Sequence, residues 1–354
     1  MNKYVKRYCI DAMSGMAQGL FASLLIGTII KTLGQQLLRL GTNPVFDFLV
    51  KAGNFASDSH VVGAAMAVGI GFAMNVPALV LFSLAAVGSA ANVTGAAGGP
   101  LAVLLIAIVA AEFGRLVSKK TKVDIIVTPA ITILAGALLT VLTAQYIGMA
   151  AKSVGRFLVW TTNLHPFWMG ILVSVVVGIA LTLPISSAAI CAAFGLTGLA
   201  GGAAVAGCCA QMVGFAVLSF KENRWGGILS QGLGTSMLQM PNIVKNPKVW
   251  IPPVLASAIT GPVATCIFKL QMNGAAVSSG MGTCGLVGQI GVITGWFEPS
   301  EVAVSHGAVA ISPSLIDWVG LILVCFILPG LICFTCGKLF RKIGWIKDGD
   351  LALN

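Results

Sequence analysis

Between Phe157 and Phe220 the chain runs 64 residues without an Asp, Glu, Lys or Arg. A single membrane-spanning helix needs roughly 20 predominantly apolar residues, so this stretch holds at least two spans and a turn. It is not uniformly apolar. His165, Pro184, Ser186, Ser187, Thr197 and Gln211 interrupt it, with glycines at 170, 178, 195, 198, 201, 202, 207 and 214. Backbone breakers and uncharged polar groups at membrane depth are tolerated where they are buried in protein or line a cavity, which is the pattern expected of a transport pathway.

The rest of the chain agrees. Charged residues make up 9% and hydrophobic ones 57% of 354, against about 25% charged in soluble domains. The chain is therefore expected to be an all-α integral membrane protein, with roughly nine or ten segments near 13–30, 61–92, 100–114, 125–148, 166–190, 195–219, 251–268, 275–296 and 314–337. The basic start and the apolar run Met13–Ile30 read as an uncleaved first span or an amphipathic lead-in. Residues 31–57 read as an amphipathic interfacial helix broken at Gly41–Pro44. The net charge of +10 comes from short clusters: Lys3/Lys6/Arg7, Arg115/Lys119/Lys120/Lys122 and Lys338/Arg341/Lys342/Lys347. By the positive-inside bias these face the cytoplasm, placing both termini inside. The partners expected are the lipid bilayer and a small polar solute, with no nucleic acid.

An internal duplication is the organising expectation. Val68-Gly69-Ile70 before Asn75-Val76-Pro77 is echoed by Val177-Gly178-Ile179 before Leu183-Pro184, and Gly98-Gly99 by Gly201-Gly202. The expected divisions are 1–60 (first span and amphipathic segment), 61–150 (first repeat), 151–297 (second repeat) and 298–354 (last span and basic tail). Extra residues in the second copy fall within Gly226–Val244.

That extra piece is uncharged, and too short and polar to span. It reads either as a re-entrant segment near 226–244 or as a surface loop. Gln231, Thr235, Gln239 and Asn242, spaced four, four and three apart, share one face if the segment is helical, and such a face can hydrogen-bond a polyhydroxylated solute. Ser278, Ser279, Thr283 and Gln289 sit among closely spaced glycines, which serve either helix packing or a site. At Pro184-Ile185-Ser186-Ser187 the proline frees a carbonyl that the serines or a ligand can meet, and Asn75 stands at the matching break.

The ionisable groups offer less. Glu112 and Arg115 pair with each other by spacing, Lys269 snorkels, and no acids or histidines share a helix face at membrane depth, so ion coupling loses weight. The nine cysteines behave as small hydrophobes; Cys333-Phe334-Thr335-Cys336 has no second pair to complete a metal site. Hydrolase, metalloprotease and phosphate-loop motifs are missing. The expectation is no catalytic residue, no metal and no cofactor.

Leu183–Ile190, Gly234–Asn242, Trp250-Ile251-Pro252-Pro253 and Ser278–Thr283 together resemble the perfringolysin O regulator-type membrane proteins, a branch of the phosphotransferase-system sugar permeases (the IIC component). The resemblance covers roughly residues 13–340. It implies a homodimeric helical permease binding a sugar-like solute at a re-entrant site, with phosphate supplied by separate IIA and IIB proteins. Glucose-type members carry a Gly-Ile-Thr-Glu-Pro motif whose glutamate contacts sugar; here Gly295-Trp296-Phe297 separates Ile293-Thr294 from Glu298-Pro299, and the resemblance carries that role to Glu298. The alternative is a membrane-embedded sensor or regulator without net transport.

Overall fold

In a bilayer every backbone N–H and C=O must find a partner within the protein, and for a chain this apolar the helix is the local solution. The computed structural model describes Tyr4 and residues 6–353; Lys3 of the amino-terminal cluster lies outside them. The protein is 82% helical, and among the described residues there is no strand, only an isolated antiparallel bridge between Gly198 and Met272. Among the described residues six helices are long and apolar enough to cross a membrane, or seven if one bent pair counts as a span, and Pro166–Thr182 and Cys284–Phe297 are shorter apolar segments. The chain divides into two units, Met1–Ala151 and Lys152–Asn354.

In the first unit, α1 (Lys6–Arg39) ends at Gly41, and Asn43 caps α2 (Pro44–Ala56) by accepting from the Val45 N–H. The break expected at Gly41–Pro44 is therefore present. α2 folds back along the second half of α1, giving the amphipathic face of residues 31–40 a protein partner. Asp58 accepts from the N–H groups of His60 and Val61 and starts α3 (Ser59–Ala73), bent by 54° from α2. α3 packs on the first half of α1. There Gly15 and Gly69 lie so close that a Cβ on either would fall within 2.2 Å of the other's carbonyl oxygen.

After the Asn75-Val76-Pro77 break come α4 (Ala78–Gly95) and α5 (Gly99–Val117). Ala96, with φ +46°, turns the chain between them, and the two pack side by side. At about 1.5 Å per residue each is close in length to the roughly 30 Å hydrocarbon core of a bilayer. Glu112 holds Arg7 at 3.0 Å as well as Arg115 at 3.5 Å, so the short-range pair read from spacing is a three-residue cluster. α6 (Asp124–Thr161) runs through the boundary between the units.

The second unit is built around α9. α7 (Pro166–Thr182) is followed by the short α8 (Ser187–Ala193) and then α9 (Gly198–Leu218). Of α9's most apolar window 89% is buried, against 22% for α6: α9 is a core helix and α6 a peripheral one. Next are α10 (Phe220–Gly227), α11 (Met240–Lys245) and α12 (Pro247–Ile267). The chain closes with α13 (Val287–Phe297), α14 (Glu301–Ser305) and α15 (Leu315–Lys342).

α7, α9 and α12 pack on one another and α15 lies across α9 and α12. Two glycines let the first three touch backbone to backbone. A Cβ on Gly207 would come within 1.9 Å of the Ser174 carbonyl oxygen, and one on Gly261 within 2.1 Å of that of Gly170. The core around them is Val205, Cys209, Met272, Val292, Trp296 and Val324. The two breaks lead into helices of different length: Pro77 opens one of 18 residues, whereas Ser186 caps one of 7.

Candidate solute site

Two interrupted segments in the second unit gather most of the polar side chains expected at a site. The first lies directly after α10. It makes a wide π-helical turn over Ile228–Gly234, is extended at Thr235, tightens to a 3-10 turn over Ser236–Gln239 and only then enters α11. It is buried throughout much of its length, not a surface loop. Because it is not one continuous helix, the four spaced residues do not share a single face. Thr235 is diverted to cap Met237 N–H at 3.2 Å.

Gln231, Gln239 and Asn242 nevertheless converge into a directed amide ladder. Gln231 donates to Ser219 Oγ at 2.9 Å and to Gly227 O at 3.2 Å. Its Oε1 accepts from Gln239 Nε2 at 2.9 Å, and Gln239 Oε1 accepts from Asn242 Nδ2 at 2.8 Å. The remaining donors point at the carboxyl-terminal tail: Gln239 Nε2 to Leu351 O at 3.0 Å and Asn242 Nδ2 to Ala352 O at 2.9 Å. Asn223 joins them, donating to Leu351 O and accepting from Leu353 N–H, both at 2.8 Å. The tail is thus folded onto this segment, with Leu351 fully buried.

On the other side, Ser236 and Thr182 hydroxyls are 2.8 Å apart, which ties the segment to a second network centred on Gln211. Gln211 Oε1 accepts from Thr182 at 3.2 Å and from Trp250 Nε1 at 2.9 Å, and its Nε2 donates to Ser257 Oγ at 3.1 Å. Ser174 donates to the Ser257 carbonyl at 2.7 Å. Gln211, Gln231, Gln239 and Ser257 are each fully buried, and among the described residues none of the four bonds a charged side chain. A buried polar group left unpaired costs about 1–3 kcal/mol, which explains why these amides are so fully engaged.

The second interrupted segment, 276–289, packs on α8 and α9. Ser187 donates to Gly280 O at 2.7 Å, and Ser279 to Ala276 O at 2.7 Å. Thr283 bonds to the Gly232 carbonyl and so links the two segments. Gly282, at φ +54°, is held where a Cβ would meet that of Cys208 at 2.6 Å. Ser278 lies against Gly291. Gln289 donates to Cys209 Sγ at 3.1 Å, while its Oε1 is buried with no partner among the described residues. Ser186 caps α8 by accepting from Ala189 N–H at 3.2 Å.

Two expected members stand apart. Asn75 is exposed in the first unit with φ +51°. Glu298 is exposed at the end of α13, its N–H on Thr294 O at 2.7 Å.

Open space lies at the start of α9. A half-open cavity of about 480 Å³ is lined by Thr162, Leu164, Phe194, Thr197, Ala200 and His306 among others. Gly195 at φ +59° turns the chain into it, and Thr197 Oγ1 is 3.2 Å from His306 Nδ1. In the first turn of α9 the Gly198 N–H is taken by Met272 O at 3.0 Å and that of Gly201 by Thr197 O at 3.1 Å, while Leu199 and Ala200 line the cavity. Thr197 and His306 are 109 residues apart, so no local pattern marks them as a pair. Thr182 and Ser257 escape sequence reasoning likewise, each being an ordinary residue of an apolar helix, and Trp250 enters it only through the family resemblance.

These features define a multi-pass, all-helical membrane protein with an uncharged polar interior at broken helices. The family described as Phosphotransferase system, EIIC, matches residues 10–353, and the chain belongs to it: it is a membrane permease of that system, working with separate IIA and IIB components. No curated protein and no solved structure matches the chain.

Proposed function

We propose that this permease moves a neutral, sugar-like solute, and that it belongs to the perfringolysin O regulator-type branch, acting as a homodimer in a bacterial inner membrane with both termini in the cytoplasm. The observation that carries the choice of solute is the cavity at the start of α9. Its polar side chains are Thr162, Thr197 and His306, a set suited to hydroxyls. Its volume lies within the usual 300–1,000 Å³ of small-molecule sites. Ser186, Ser187, Ser278, Ser279, Thr283 and Gln289 line the continuation of the path, with the orphan Gln289 Oε1 as the acceptor awaiting a donor. Gln231, Thr235, Gln239 and Asn242 form its far end, where Leu351 and Ala352 carbonyls occupy the amide donors.

Uptake of labelled sugars by proteoliposomes, with and without IIA and IIB proteins, tests this. Thr197→Val and His306→Ala each raise KM about 2- to 10-fold, the worth of one neutral hydrogen bond, with kcat retained. Saturable sugar binding without flux of any sugar under either condition would sink the transport reading. It would favour a ligand sensor instead, a role that the docked carboxyl-terminal tail also suits.

A further inference from the structure

A second half-open cavity of about 480 Å³ lies at the other end of α9 from the first, between that end, α10 and α15. Its walls are apolar: Val217, Leu218, Ile228, Cys333, Phe334 and Gly337. Its rim carries four cations, Lys221, Arg224, Lys338 and Arg341. Two of them are neutralised within the protein. Arg341 pairs with Glu222 at 2.9 Å, and Lys221 with Asp348 at 2.7 Å.

Arg224 and Lys338 have no carboxylate partner among the described residues. Each instead rests on an aromatic ring: Lys338 Nζ lies 4.3 Å from the Phe334 centroid and Arg224 Cζ 6.0 Å from that of Phe220. Arg224 is set there by a left-handed residue conformation, φ +50°. Its neighbour Trp225 is 72% exposed, as expected of an aromatic residue at the headgroup level of a bilayer.

We propose that this groove is a binding site for an anionic glycerophospholipid. The acyl chains lie along Val217, Leu218, Ile228 and Phe334, and the headgroup phosphate sits between Arg224 and Lys338. The assignment rests on charge and shape together. An apolar slot suits no water-soluble anion, and a zwitterionic headgroup gains little from two unneutralised cations. Basic pockets between membrane helices are a known means of selecting acidic lipids. Ile228 begins the first interrupted segment and Arg341 anchors the tail through Asp348 at 3.3 Å. The lipid therefore touches both partners of the amide ladder without entering it.

Native mass spectrometry of the detergent-purified chain, after exchange against equal phosphatidylglycerol and phosphatidylcholine, tests the proposal. The wild type retains phosphatidylglycerol preferentially. The double variant R224Q/K338Q, altered only at exposed or rim positions, loses that preference by about 30-fold, since each cation near an anionic surface contributes about fivefold. K120Q/K122Q, which removes the same charge from the first unit, retains it. Equal retention of the two lipids by the wild type overturns the proposal, as does an unchanged preference in R224Q/K338Q. Displacement of the lipid by millimolar inorganic phosphate overturns it too, because the site would then read the anion alone. So does loss of a soluble acidic partner's binding in R224Q/K338Q with lipid retention intact.

Discussion

Gln239 donates its carboxamide N–H to the backbone carbonyl of Leu351, 3.0 Å away and 112 residues further along the chain. The same nitrogen serves Gln231, so one side chain joins the interrupted segment to itself and to the tail.

Replacing Gln239 by Leu removes both bonds and the one it accepts from Asn242; the Gln231 oxygen is left buried and unpaired, while the Leu351 carbonyl keeps the Asn223 donor. The expected loss is about 1–3 kcal/mol for each group left unsatisfied. Thermal unfolding in detergent measures it. A melting temperature equal to that of the wild type would show that the ladder is not holding the segment.

Truncation after Gly344 removes the acceptors of Asn223, Gln239, Asn242 and Asn246, the last of which donates to Trp345 O at 2.9 Å. The segment between Lys221 and Lys248 then opens locally, and trypsin cuts at those lysines at least several-fold faster. An unaltered cleavage rate contradicts the claim that the tail secures this region.

The tail's attachment depends on pH through Asp348. The Lys221 hydrogen bond, reinforced by the charges of Lys221 and Arg341, holds this carboxyl below its ordinary 3.8. A carboxyl lowered in the folded state stabilises docking above its ordinary value and loses that contribution as pH falls through the lowered one. Docking through Asp348 is therefore constant across neutral pH and weakens only below about pH 3.8. D348N removes this acid-dependent step from a fluorescence titration of Trp345. Retention of the same step in D348N assigns it to another group.

Gly207→Ala forces a Cβ to within 1.9 Å of the Ser174 carbonyl oxygen and drives α7 and α9 apart. The expected cost is about 1–3 kcal/mol, read as a lower melting temperature and reduced sugar uptake. Gly226→Ala, exposed with nothing within 4 Å of the new carbon, leaves both unchanged. Equal behaviour of the two variants denies the close helix contact its importance.

Much of the architecture is legible in the sequence because proline and charge act locally. Pro44 marks the start of a helix, Asn75–Pro77 and Pro184–Ser187 mark breaks, and the charge-free run marks the core around α9. The site is legible only in part. Gln231, Gln239 and Asn242 meet as their amide chemistry suggests, but through a π turn and a 3-10 turn, so uniform helical spacing misplaces Thr235. The acceptors at Leu351 and Ala352 leave no trace, because a backbone carbonyl is the same for every residue type. Thr197 and His306 meet only through tertiary folding. Nothing local to Trp250 signals that its indole N–H meets Gln211.

The backbone contacts at Gly207 and Gly261 also limit how α7, α9 and α12 can move. Sliding one of them by a turn, about 5.4 Å, would bring a different residue opposite each carbonyl, and next to Gly207 in α9 stand Ala203, Ala206, Cys208 and Ala210. Each carries the carbon that the contact cannot admit. The three helices are therefore a single cast block. Any motion that changes which side of the membrane a solute sees must carry that block whole, with the give confined to the frayed pieces around it.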